Sequence, residues 1–202
     1  MRTHHHLSML LRDDKMLRAF LPLVITMSLL VAACAAATTP SPSTTPSATG
    51  LAHVTVQTYF SKHPDSDADP TAVFPVSRTI VTGNLASPSS LPTFAIQQLI
   101  AGPTDSEKQA GYYTELTGAL SGPSICNNQD FTITLNTHAG HPETGTATLQ
   151  FCRVTQLPGD LSGPRIKSEI GKTLMQFAYI QRVVILDKSG NCFDDLSGRN
   201  VC

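Results

Sequence analysis

Tryptophan is absent from this 202-residue chain, and four tyrosines and eight phenylalanines make up its aromatic surface. Stacking platforms for bases or sugars therefore lack their usual material. Basic residues are also few: 14 Lys and Arg stand against 15 Asp and Glu, scattered along the chain, for a net charge of −1. That balance removes the electrostatic case for a nucleic-acid partner. No CxxC pair occurs and the cysteine spacings fit no common zinc pattern, which disfavours a four-cysteine metal centre. A serine hydrolase would need a GxSxG elbow, and there is none. The leading apolar run, residues 20–31, is short for a bilayer crossing.

What that run precedes is more informative than its length. Arg12, Lys15 and Arg18, offset by Asp13 and Asp14, suit the charged region of a signal peptide, and 20–31 supplies its apolar core. Small residues Ala32 and Ala33 then admit a peptidase, and a thiol follows at Cys34. The stretch Leu30-Val31-Ala32-Ala33-Cys34 resembles the lipobox of bacterial lipoproteins, in which the cysteine takes a diacylglycerol before cleavage. The competing reading is an ordinary cleaved signal with a cysteine at the cut. The resemblance implies a protein held at the cell membrane by a lipid on Cys34 and facing the extracytoplasmic side.

Three segments follow from this division: a lipoprotein signal over 1–33, the lipidated cysteine and a Ser/Thr/Pro-rich tether over 34–50, and one folded domain over 51–202. The tether carries no charge and no large apolar group, so it cannot bury enough surface to offset the entropy of ordering. Extended as polyproline II at about 3.1 Å per residue, it holds the domain up to roughly 50 Å from the membrane.

Beyond Cys34 four thiols remain, Cys126, Cys152, Cys192 and Cys202, an even number that outside the cytosol reads as two disulfides. Residues 131–135 and 146–151 alternate apolar and polar around a Gly/His/Pro/Glu-rich connection and predict a hairpin. Its open end brings Cys126 toward Cys152, which leaves Cys192 to close on Cys202.

Alternation predicts further strands over 53–60 and 73–81, the second with Pro75 pointing to an edge or a bulge. Residues 93–100 carry a helical period after Pro92, which suits a first helical position, and Gly102-Pro103 stops it. A longer helix is expected over 162–179, where Ile166, Ile170, Leu174, Met175 and Phe177 recur at threes and fours. Residues 182–187 read as a buried strand. The resulting fold class is α+β, a small mixed or antiparallel sheet with two helices on one face, stapled by two disulfides.

Val54 to Phe60, Phe74-Pro75-Val76-Ser77-Arg78, the helix end Leu99-Ile100-Ala101-Gly102-Pro103, Thr173-Leu174-Met175-Gln176-Phe177 and Val183 to Leu186 form a succession that resembles the GerMN domain. That domain occurs in bacterial sporulation and spore-germination proteins and in envelope lipoproteins. The resemblance implies a compact α/β module akin to ring-building modules of envelope assemblies, a protein or cell-wall partner, no known catalysis and no cofactor. It covers about 54–186 and leaves out the cysteine-bearing tail.

Each motif also has an architectural explanation. Arg78 falls on the strand face opposite Ser77 and Thr79, as a solvated or ion-paired residue. Thr173 and Gln176 share a helical side and are placed to cap a neighbouring segment.

Three groupings carry donor chemistry. Asp65, Asp67 and Asp69 alternate like the start of a calcium loop, but the sixth and twelfth positions hold Pro70 and Val76 instead of glycine and a bidentate acid. A soluble acidic loop is the simpler reading. His138, His141 and Glu143 carry zinc donors on a loop that fixes no metal geometry. A Cys/His hydrolase needs a free thiolate, which the even thiol count opposes. A noncatalytic docking module is therefore expected, and the alternative is a solute- or wall-fragment-binding lipoprotein or a hydrolase with a pocket near 65–69 and 194–195.

Overall fold

The computed structural model describes residues 52–82 and 89–202. The signal segment, Cys34 and the whole tether lie outside them. The alternation that begins at Val54 produces strand β1, Ala52–Lys62, paired antiparallel with β2, Phe74–Thr82, from Ala52↔Thr82 to Phe60↔Phe74. Val56 and Phe60 enter the core, whereas Pro75, Ser77 and Thr79 face solvent. A short helix α1, Asp65–Ala68, follows the cis His63–Pro64 peptide between these strands.

Helix α2, Ser90–Ala101, buries Pro92, Ala95, Ile96 and Leu99. Pro92 is its third residue instead of its first, which proline tolerates because first-turn amides have no intrahelical acceptor. Gly102 ends it at φ +83°, and a Cβ there would lie 2.8 Å from Thr117 Oγ1. That hydroxyl donates to the Ile100 carbonyl at 2.8 Å, so the close approach serves as a helix cap. Helix α3, Asp105–Gln109, opens with a capping box between Thr104 and Glu107.

Strand β3, Tyr112–Tyr113, pairs with β1 at Lys62 and Ser61. After α4, Leu116–Ala119, strand β4, Leu120–Ser121, pairs with β7, Val154–Thr155. Between them β5, Phe131–His138, and β6, His141–Phe151, form the expected hairpin, irregular near Asn136. Helix α5, Ser162–Met175, leads to β8, Arg182–Leu186, which runs parallel to β6.

The class is α+β, and the strands of the described residues divide into three ladders instead of one small sheet: β2-β1-β3, β4-β7 and the mixed β5-β6-β8. Helices α2 and α5 pack on each other and on β1, and α5 also reaches β8. One cluster joins them through Ile96, Leu99, Leu149, Phe151, Ile166 and Ile170. Helix α5 stops at Met175, short of the period read to Tyr179. There the Gln176 carboxamide bonds the Thr173 carbonyl, and the Phe177 amide bonds the Leu174 carbonyl in a tightened turn that leaves Phe177 buried. Disulfides join Cys126 to Cys152 and Cys192 to Cys202, the connectivity that the hairpin predicts.

Candidate functional site

Strand β1 has β2 on one edge and side chains of α5 along much of the other. The Gln57 amide donates to Gln176 Oε1 at 2.8 Å, and Gln176 Nε2 donates to the Gln57 carbonyl at 2.6 Å. The Tyr59 amide donates to Thr173 Oγ1, and the Ser61 amide to Glu169 Oε1, each at 3.0 Å. Helix steps of four and three residues rise about 6.0 and 4.5 Å, against roughly 6.8 Å for two strand residues, a mismatch that these side chains absorb over a short run.

These bonds fix the polarity of the whole ladder. Gln57, Tyr59 and Ser61 aim backbone groups away from β2, so their neighbours Ser77 and Pro75 belong to non-hydrogen-bonded pairs and aim theirs outward. By the same alternation Thr79 and Val81 also face out. Pro75 thus sits where a missing N–H costs no ladder bond. Among the described residues no strand pairs with this outer edge, which offers the amides of Ser77, Thr79 and Val81.

Arg78 points to the inner side, as its alternation requires. Its guanidinium makes two 2.7 Å bonds to the Glu107 carboxylate and lies over the Phe60 ring. Arg78 holds the Glu107 carboxyl down at about 2. The residue pins α3 to β2.

A polar cluster sits where β1, β3 and α5 meet. Glu169 is fully buried, with Oε1 accepting from both the amide and hydroxyl of Ser61 and Oε2 accepting from the Thr114 hydroxyl at 2.6 Å. Burial pushes its carboxyl up to about 7, and the nearby Glu115 adds to that shift. Arg165 Nη1 bonds Glu115 Oε1 at 2.8 Å, and the same guanidinium reaches the Ser66 carbonyl and covers the Tyr113 ring. Tyr113 stacks on His63, and both bond Asp67. These bonds join α1, the segment from β3 to the start of α4, and α5. The sequence signal that marks it is a polar residue at each of 169, 173 and 176, on the helix flank beside Ile166, Ile170 and Phe177.

The acidic and imidazole groupings do not converge into a metal site. Asp67 turns to His63 and Tyr113, and His63 first, with Tyr113, holds its carboxyl below the ordinary range. Asp69 instead accepts from the amide and hydroxyl of Thr71, and Asp65 opens α1. The helical turn of α1 separates what looks alternating in sequence. At the hairpin tip His138 faces His141 in register, but His138 bonds Glu143, whose other oxygen takes Thr146 and Arg182. Among the described residues no three His, Cys, Asp or Glu side chains are grouped to hold a metal ion.

Two of the open clefts formed by the described residues stand out by volume. One, about 440 Å³, lies under the C-terminal loop and includes Asp187, Asp194, Asp195 and Leu196. Its carboxylates are engaged within the fold: Asp187 with the amides of Ser189 and Asn191, Asp194 with Lys167, and Asp195 with Ser197 and Asn200. The other, about 500 Å³, separates α2 from the loop before β5 and was not legible as a site in the sequence.

No family model, curated protein or solved structure matches this chain. Among the described residues no helix is long and apolar enough to cross a membrane.

Proposed function

We propose that this is a membrane-anchored envelope lipoprotein whose GerMN-like domain is a noncatalytic docking module. The observation that carries this reading is the open edge of β2, with three outward amides and a proline where none is needed. An extended segment of an envelope protein adds there as a further strand, taking affinity from main-chain bonds and selectivity from alternate side chains. The lipid on Cys34 places the edge above the membrane, and the disulfides suit an oxidising compartment.

Two variants test the two halves of the proposal. A lipid precursor is expected to label the wild type but not Cys34→Ser, and equal labelling contradicts the anchor. Pull-down from membranes is expected to recover a defined envelope protein with the wild type and to lose it with Thr79→Pro. That substitution removes an outward amide and leaves the β1–β2 ladder intact. Undiminished recovery contradicts docking at this edge.

A further inference from the structure

The larger cleft is a built feature of the fold. Thr93 and Gln97 line it from α2, Asn128 and Gln129 line it from the loop before β5, and Ile100 and Phe131 supply apolar surface. The loop wall is held by the Cys126–Cys152 disulfide, by the Gln129 amide bonded to the Cys126 carbonyl at 2.9 Å, and by the Ser124 hydroxyl on the Gln129 carbonyl at 2.5 Å. Its volume falls in the range of small-ligand sites.

The chemistry of the lining selects the ligand class. The charged residue of the lining, Asp130, is ion-paired with Arg153, and among the described residues no cation lines the cleft, so phosphates and carboxylates find no counter-charge among them. The carboxamides of Gln97, Asn128 and Gln129 bond no described residue and offer donors and acceptors together. A peptide is disfavoured because helix bonds occupy the α2 backbone and the staple engages the Cys126, Gln129 and Asp130 backbone groups that a peptide would need. Asn127 and Asn128, at φ of +47° and +65°, are the central residues of the tight turn that the Gln129 amide closes on the Cys126 carbonyl, a conformation that asparagine adopts readily.

We infer that this cleft binds N-acetylated pyranoses of a cell-wall glycan, through side-chain carboxamides and the Thr93 hydroxyl. Hydroxyl and acetamido groups both donate and accept, as the lining does, and the C–H face of a sugar ring suits the half-buried Ile100. The cell wall as source rests on the exported location proposed above; the chemical class does not.

Titration of the isotope-labelled full chain, carrying Cys34→Ser, with triacetylchitotriose tests the inference by amide chemical shifts. Saturable shifts are expected at Thr93, Gln97, Asn128 and Gln129. Gln97→Ala with Asn128→Gly is expected to weaken binding about tenfold or more at an unchanged unfolding temperature, since alanine suits the helix and glycine suits the φ of Asn128. Absent shifts, shifts confined to another surface, undiminished binding by the double variant, or a response to blocked trialanine in place of the sugar overturns it. Thr79→Pro leaves this titration unaltered, so failure here and failure at β2 are separately visible.

Discussion

Gln176 grips Gln57 by both backbone groups, accepting the amide at 2.8 Å and donating to the carbonyl at 2.6 Å. A helix side chain thereby does what a neighbouring strand would do. Gln176→Ala leaves both groups without that partner in a partly buried place and is expected to destabilise the domain by about 1–3 kcal/mol in urea unfolding. A loss under about 0.5 kcal/mol, ordinary for a surface change, contradicts the role.

Glu169 sets the pH response on the alkaline side. Its carboxyl titrates at about 7 when folded, through burial, against an ordinary value of 4.5. The folded state holds the proton more tightly, so stability falls as pH rises from 4.5 through 7, by on the order of 3 kcal/mol in all. Glu107 has the opposite sign: Arg78 lowers its carboxyl to about 2, so its contribution is complete above 4.5 and is lost as pH falls toward 2. Together these groups place the stability maximum near pH 4.5. Urea unfolding at a series of pH values checks this, with Glu169→Gln expected to flatten the alkaline limb. Wild-type stability that rises from 4.5 to 7 contradicts it.

Gly163 lies directly against the Asp194 carboxylate, which also pairs with Lys167 at 2.9 Å. A Cβ at Gly163 would overlap that carboxylate. Gly163→Ala is therefore expected to loosen the C-terminal loop at a cost of about 1–3 kcal/mol. Faster amide exchange over 192–202 and faster tryptic cleavage after Arg199 are the readouts; unchanged exchange in that loop contradicts the contact.

The two disulfides close loops of different length, 26 residues for Cys126–Cys152 and 10 for Cys192–Cys202. Chain entropy makes removal of the first costlier by about 1 kcal/mol. Serine pairs at each bridge, compared by thermal unfolding, check the order. The reverse order contradicts it.

Much of the fold was legible because alternation is local. The hairpin strands carried their period in sequence, and their pairing brought Cys126 to Cys152. The C-terminal loop could be closed only by the remaining two thiols. Other features depended on tertiary packing. Asp65, Asp67 and Asp69 alternate on paper, yet one helical turn sends Asp67 to Tyr113 and Asp69 to Thr71. Glu169 reads as part of a polar helix flank until β1 covers it, and a charged residue at full burial is not what composition suggests. The cleft between α2 and the stapled loop joins residues about thirty positions apart, each unremarkable alone.

Amide-resolved hydrogen exchange along β2 tests the open edge most directly. In the isolated protein the Ser77, Thr79 and Val81 amides are expected to exchange fast while those of Val76, Arg78 and Ile80 are slow, and the partner recovered from membranes is expected to protect the fast set. Uniform protection without a partner, or partner-induced protection confined to another surface, contradicts docking at β2.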